Sequence, residues 1–312
     1  MFDSRSVPES GTDNRVYIGV DIGATKTLVV LASTDGRIEA ITRLPTRDTA
    51  EDHIEALRST IQRLVPDSTH IRGIGVCCPG PVNPKTRTVV TPPNIPRWRH
   101  FPLGDVLEEH YRCPVVLEND ADAAGLAEYH YGAGSGTDLM VYLTVSSGVG
   151  SAIIRKGEII RGVNGAHPEL GHHVVDPHGR VCSCGCIGCL EAYISGLSIE
   201  KRFGVPPEEL KDGDAWQDVG FWLGVGLGNI AATVTPEVVV VGGGVASVGE
   251  LILAPARAYL NEHIHMFPVP KVVLAELGPL VGGIGALALI MGTSVPLEMP
   301  DSFECLNEES IV

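Results

Sequence analysis

The chain has 312 residues, 44% hydrophobic and 20% charged, and its 38 acidic against 23 basic side chains give a net charge of −15. Such a balance argues against a nucleic-acid face, which needs clustered Lys and Arg, and any phosphate must be held locally by backbone N–H groups, one placed cation or a metal. The longest apolar stretch, Val281 to Met291, is broken by glycines and too short to span a bilayer, while the total length allows two core-forming units.

In chain order, residues 1–14 read as a polar, disordered tail without the apolar run of a secretion signal, so a cytoplasmic location and reduced thiols are expected. Val16–Val20 and Thr27–Leu31 are apolar runs around the small-residue turn D-I-G-A-T-K, which predicts a β-hairpin. Asp35-Gly36 marks a turn before a third strand. Asp48 to Leu64 carries a helical period in Ile54, Leu57, Ile61 and Leu64, stopped by Pro66. Ile71–Cys77 is a buried strand closed by Pro79-Gly80-Pro81. An irregular, proline-rich segment follows from Val82 to Pro102 and contains Asn94 and Trp98. Val115–Leu117 is a short strand leading into E-N-D-A-D-A-A-G-L-A-E-Y, a loop that becomes a helix.

Leu139 to Ile154 then repeats the opening pattern of strand, small-residue turn and strand. A repeated hairpin predicts two related α/β lobes facing each other across a cleft. A helix over Asp214 to Thr233, the strand Val238–Val241 running into Gly242-Gly243-Gly244, and a glycine-studded helix from about Gly282 complete the pattern.

Three small-residue turns thus follow three strands: Asp21 to Lys26, Ser146 to Gly150 and Gly242 to Gly244. Each offers backbone N–H groups with no side chain in the way. None fits the P-loop or dinucleotide fingerprints, and each alone is also an ordinary turn. Together they suit a nucleotide lying between two lobes. Asp120 sits where a strand end meets a helix start. It is either an N-cap or, at the ligand-binding end of a strand, a base for a substrate hydroxyl. Glu118, Asn119 and Asp122 crowd around it in sequence.

Glu169 to Glu191 holds the densest chemistry: four of the eight cysteines lie within eight positions, preceded by His172. His172 with Cys182, Cys184 and Cys189 supplies one imidazole and three thiolates, a complete set for a closed structural zinc site. Cys186 is a further thiol that spacing leaves interchangeable with the others. Buried apolar cysteines are the plainer alternative. Glu169 and Glu191 bracket the cluster and are not needed by the metal.

The motifs D-I-G-A-T-K, P-N-I-P-R-W, L-E-N-D-A and G-H…V-D-P…C-x-C-G-x-x-G-C-L-E resemble those of the ROK family of sugar kinases and repressors, over nearly all of Tyr17 to Gly292. The resemblance implies an α/β actin-like ATPase fold of two ribonuclease-H-like lobes around a central cleft. A smaller N-terminal lobe would span 15–118 with a returning segment at about 290–312, and a larger C-terminal lobe with the zinc would span 119–289. It implies an ATP- and magnesium-dependent hexose kinase acting most plainly on glucose O6. Asp120 would be the catalytic base. Asn94, Asn119, Glu169, His172 and Glu191 would contact the sugar. Gly23, Thr25 and Lys26 would form the first phosphate loop, with Asp21 near magnesium. Ser146, Ser147 and Gly148 would form the second, and Gly243 and Gly244 the adenosine motif.

One departure bears on substrate. His167-Pro168 precedes Glu169 where glucokinases of the family usually carry Ala-Gly. His167 either reaches the acceptor or packs beside the loop. Reaching it would favour an amino or N-acyl hexose, fructose or a cyclitol. A sugar-sensing regulator is the alternative class. The short N-terminal extension and retained Asp120 favour catalysis. The implied partners are a sugar and ATP, with no nucleic acid or membrane, and a homodimer by family habit.

Overall fold

The computed structural model describes residues 14–292 and 295–298; all but the last residue of the tail expected at 1–14, and the C-terminal residues from 299, lie outside them. The elements are β1 (Val16–Ile22), β2 (Lys26–Ser33), β3 (Ile38–Pro45), α1 (Ala50–Leu64), β4 (Ile71–Cys78), β5 (Val82–Asn83), β6 (Thr88–Val89), α2 (Leu103–Tyr111), β7 (Val115–Asn119) and α3 (Asp120–Tyr131). They continue with β8 (Leu139–Val145), β9 (Val149–Arg155), β10 (Glu158–Ile159), α4 (Glu191–Ile194), α5 (Gly196–Phe203), α6 (Gly213–Val234), β11 (Val238–Gly242), α7 (Glu250–His263), β12 (Lys271–Leu274) and α8 (Val281–Met291).

The strands form two five-stranded sheets of one design, ordered β3-β2-β1-β4-β7 and β10-β9-β8-β11-β12. In each, an antiparallel meander of three strands is extended by two parallel ones. The repeated hairpin read from the sequence is therefore the first two strands of each meander. Central strands such as β11 are apolar at every position because both faces are covered. Each sheet has its own core: Ile18, Val20, Ile74 and Leu117 with α1 and α2 in the first, and Val141, Leu143, Val239 and Val241 with α6 and α7 in the second.

Helix α8 lies against β1, β2, β4 and β7, and also against α3. Glycines permit this: a Cβ on Gly75 would run into the Ala286 carbonyl, and one on Gly285 into that of Ala123. Position 290, where the returning segment is expected to begin, lies within α8, which packs on both the first sheet and α3.

Local signals explain the site's framework. β7 runs on to Asn119 because its register with β4 extends to Cys78 opposite Asn119. Asn119, rather than Asp120, is the N-cap of α3, its Oδ1 accepting the Ala121 and Asp122 N–H groups at 2.8 and 3.3 Å. Asp120 is left in the first helical position, where its Oδ1 also accepts the Ala121 N–H at 2.8 Å and its other carboxylate oxygen takes no part in the cap. Helix α1 starts two residues later than expected, at Ala50, where Thr49 caps it through the Asp52 N–H. The proline-rich segment contains the small β5-β6 hairpin and brings Trp98 to full burial.

Candidate active site

Two cavities meet at Asp120. One, of about 670 Å³, is lined by Asp21, Gly23, Asp120 and Tyr142 and by the Gly242–Gly244 turn, and is closed by the start of α8 at Val281 and Gly282. The other, of about 520 Å³, is lined by Asn94, Asn119 and Asp120, by Ser146, Ser147 and Gly148, and by His167, Glu169, His172 and Glu191. Gly23, Asp120, Ala121 and Thr144 belong to both linings. Every expected acceptor residue thus lines one cavity, and Asp120 stands at its opening into the next.

Two buried carboxyls dominate the electrostatics where the cavities meet. Burial pushes the Asp120 carboxyl upward; the Ala121 N–H and His167 pull it back, while Glu169 adds to the rise. Asp21 is raised to about 6, first by burial and then by Asp120, with the Cys77 thiol opposing. Two buried carboxylates repelling each other favour a cation or a proton between them.

Behind Asp120 lies a buried ionic cluster. Glu118 pairs with Arg161, and the Asp122 carboxylate lies 3.6 Å from both Arg161 Nη1 and His167 Nδ1. His167 Nε2 is 3.2 Å from Glu169 Oε1. Burial pushes Asp122 up to about 7, Glu118 and Asp120 push the same way, and His167 and Arg161 oppose. The net effect on His167 is upward: Glu169, Asp122 and Glu118 outweigh the burial that opposes its charge. His167 is only 16% exposed in its side chain, so it faces the cavity and the cluster rather than solvent.

The Ser146 turn is held from the other side. Glu191 Oε2 accepts the Val149 N–H at 3.0 Å, and its Oε1 accepts the Ser183 hydroxyl at 2.6 Å. Glu191 lines the acceptor cavity while tying the turn to the cysteine-rich loop. Ligand atoms of His172, Cys182, Cys184 and Cys189 all lie within 4.8 Å of one another. Cys182 Sγ is 3.6 Å from His172 Nδ1, and Cys184 Sγ is 3.7 Å from Cys189 Sγ. A tetrahedral zinc with ordinary bond lengths sets such ligand pairs about 3.5–3.8 Å apart, so the residues fit the metal. Cys186 stands outside the group, its carbonyl closing the turn by accepting the Cys182 N–H at 2.8 Å.

The first turn differs in detail from the expectation. Gly23 and Ala24 line the acceptor cavity, whereas Thr25 and Lys26 are exposed and line neither cavity. Gly243 adopts φ +91°, and a Cβ there would strike the Val145 carbonyl, so the glycine turn is needed for β11 to pass β8 closely. Arg161 and Thr144 were not singled out in the sequence. Arg161 meets Glu118 across 43 positions, and no local spacing announces that contact.

Two like lobes, a nucleotide-sized cavity and a polar acceptor cavity, joined at one buried carboxylate, are the build of an ATP-dependent sugar kinase. The chain belongs to the ROK family, whose model matches residues 17–293. It is similar to the glucokinase of Streptomyces coelicolor, 32% identical over 307 residues covering 87% of this chain and 96% of that one. It is also similar to the N-acetylmannosamine kinase of Escherichia coli, 33% identical over 294 residues covering 88% of this chain and 98% of that one. Among solved structures, a ROK family glucokinase from Streptomyces griseus in complex with glucose and AMPPNP is 33% identical, with a TM-score of 0.74 over 88% of this chain and 98% of that one.

Proposed function

We propose that this kinase transfers the γ-phosphate of ATP to a hexose, with glucose O6 as the acceptor. The observation that carries the reading is the position of Asp120 in the lining of both cavities. Its carboxylate accepts the hydroxyl proton as the sugar oxygen bonds to the γ-phosphorus. The bond from that phosphorus to the bridging oxygen breaks, and ADP leaves with the electron pair. Its upward shift makes it a stronger base than an exposed aspartate.

Asn94, Glu169 and the Nδ2 of Asn119, whose Oδ1 is taken by the cap, are placed to bind ring hydroxyls. His172 serves twice: Nδ1 faces the sulfur cluster, which leaves Nε2 for the sugar. Gly23 and Ala24 on one side and Ser146, Ser147 and Gly148 on the other would approach the phosphates, and Gly243 and Gly244 the adenosine. Asp21, raised beside Asp120, is the residue that would hold magnesium, which supplies charge neutralisation on the phosphates. Zinc on its four protein ligands has no open position and fixes the loop carrying Glu191.

A second acceptor class has its own observation. His167 spans Asp122 and Glu169 at the edge of the acceptor cavity, and a relative of comparable identity, 33%, is an N-acetylmannosamine kinase. A coupled ADP-release assay with glucose, mannose, glucosamine, N-acetylglucosamine and N-acetylmannosamine decides between them. Turnover confined to glucose supports the first reading, and preference for an N-acyl sugar supports the second. Silence across the panel in zinc-replete protein would reject both.

A further inference from the structure

Behind the first turn lies a buried polar network with no part in the chemistry described so far. His53, on α1, is fully buried, as is the Thr27 hydroxyl at the start of β2. The Arg47 N–H lies 3.4 Å from His53 Nδ1. A backbone N–H can only donate, so Nδ1 accepts and the proton sits on Nε2. Nε2 then donates to Thr27 Oγ1 at 3.1 Å. Thr46 Oγ1 gives its own proton to the Gly23 carbonyl at 2.8 Å. Thr27 must therefore donate to Thr46 Oγ1, 2.9 Å away. Every proton in the series Arg47, His53, Thr27, Thr46, Gly23 points one way. The backbone of Thr46 adds a second grip, donating to the Thr25 carbonyl at 3.0 Å.

The end of this series is a peptide that matters. Holding the Gly23 carbonyl toward Thr46 turns the Ala24 N–H the opposite way, because the peptide is planar and trans. Glycine puts little steric restraint on that unit, so the hydrogen bond decides which dipole end the cleft meets. A flipped peptide would present a carbonyl oxygen where a phosphate oxygen has to sit.

We propose that His53 is a positioning residue for the nucleotide, fixing through Thr27 and Thr46 the orientation of the Gly23–Ala24 peptide. The inference rests on the reading of the Asp21–Lys26 turn as the first phosphate loop. Burial, helped by Arg47, lowers the His53 imidazole to about 4, so it stays neutral and keeps one donor and one acceptor. Its ring also sits against Trp98, centroids 5.1 Å apart at 44°. A phenylalanine would preserve that contact while removing both hydrogen bonds.

The test compares His53→Phe, Thr27→Val and Thr46→Val with the wild type, measuring kcat, KM for ATP, sugar affinity by calorimetry and thermal stability. Each variant is expected to raise the KM for ATP by about tenfold, the worth of one well-placed hydrogen bond. Sugar affinity should stay within about twofold of the wild type. The double variant His53→Phe with Thr27→Val should be no worse than either single one, since both interrupt one series. His53→Gln, which keeps a donor toward Thr27, should recover part of the loss. A folded His53→Phe protein with wild-type KM for ATP would overturn the proposal, as would fully additive losses in the double variant. Thr46→Val, at a half-buried position, carries the same test if His53→Phe does not fold. Gly23→Val separates the two layers: its Cβ meets the Lys26 carbonyl at 2.9 Å. If it leaves the KM for ATP unchanged, the turn is not a phosphate loop. If it raises that KM while the His53 and Thr variants do not, only the positioning role fails.

Discussion

The β1–β2 and β8–β9 turns occupy the same place in two copies of one sheet design, and they are braced by opposite chemistry. The first is held from behind by neutral donors and acceptors that end on the Gly23 carbonyl. The second is held by a carboxylate, Glu191, which grips the Val149 N–H and is itself anchored through Ser183 in the cysteine-rich loop. Topology therefore fixes where a phosphate-sized turn stands but not what stiffens it. The first brace contains no metal-ligating group and is expected to survive metal removal. The second, on the proposed zinc site, would be only as firm as the four ligands that fold its loop.

The largest effect tests the point where the two turns face each other. Asp120→Asn removes the proposed base and leaves both braces intact. It is expected to lower kcat by about 10²–10⁴-fold, the usual scale for general-base removal, with calorimetric sugar affinity little changed. Near-normal turnover in that variant would show that the turns are assembled around some other group.

Metal removal comes next and breaks the symmetry directly. Chelation in excess magnesium, or Cys184→Ser, should loosen Glu191 and cost about 10–100-fold in turnover with sugar, the range seen when the support of a metal site is lost. Readdition of zinc should restore the chelated protein but not the variant. Combined with His53→Phe, the losses should multiply, because the two braces share no residue. A combined loss no larger than either alone would mean that the turns are coupled through the cleft.

How much of this was legible in the sequence follows the range of each contact. The cysteine-rich loop could be read because its ligands lie close in the chain, Cys182 to Cys189 with His172 just before. The two lobes could be read because a hairpin is a local pattern. Cys186 could not be excluded by spacing; only the three-dimensional grouping of His172, Cys182, Cys184 and Cys189 ligand atoms leaves it outside. The sequence offered Asp120 as the cap of α3, but the adjacent Asn119, equally suited by its side chain, takes that place. The register with β4 carries the strand through Asn119 and settles it. The His53–Thr27 pair is 26 positions apart and the Arg161–Glu118 pair 43. Both depend on which helix face or loop the tertiary fold turns toward the sheet, which no periodicity specifies.

The last prediction concerns stability rather than turnover and contrasts the neutral brace with the ionic cluster. Asp122 is fully buried, faces Glu118, Asp120, Arg161 and His167, and has its carboxyl raised from 3.8 to about 7. Between those values the folded protein holds a proton that the unfolded chain has released. Its contribution to stability therefore falls as pH rises from about 4 to 7 and is flat above. Asp122→Asn removes this titration, so its stability relative to wild type should climb across that window and level off. The gain at pH 8 is at most about 4 kcal/mol by linkage, a figure that already includes the opposing attraction of His167 and Arg161. His53 titrates in the opposite sense over an overlapping window. Its depressed imidazole is neutral in the fold, so stability falls as acid protonates the unfolded chain. Subtracting the urea-denaturation profiles of variant and wild type cancels the His53 contribution. A difference that is flat with pH would mean that Arg161 and His167 keep Asp122 ionised throughout, and that the cluster is as fixed in charge as the neutral brace across the cleft.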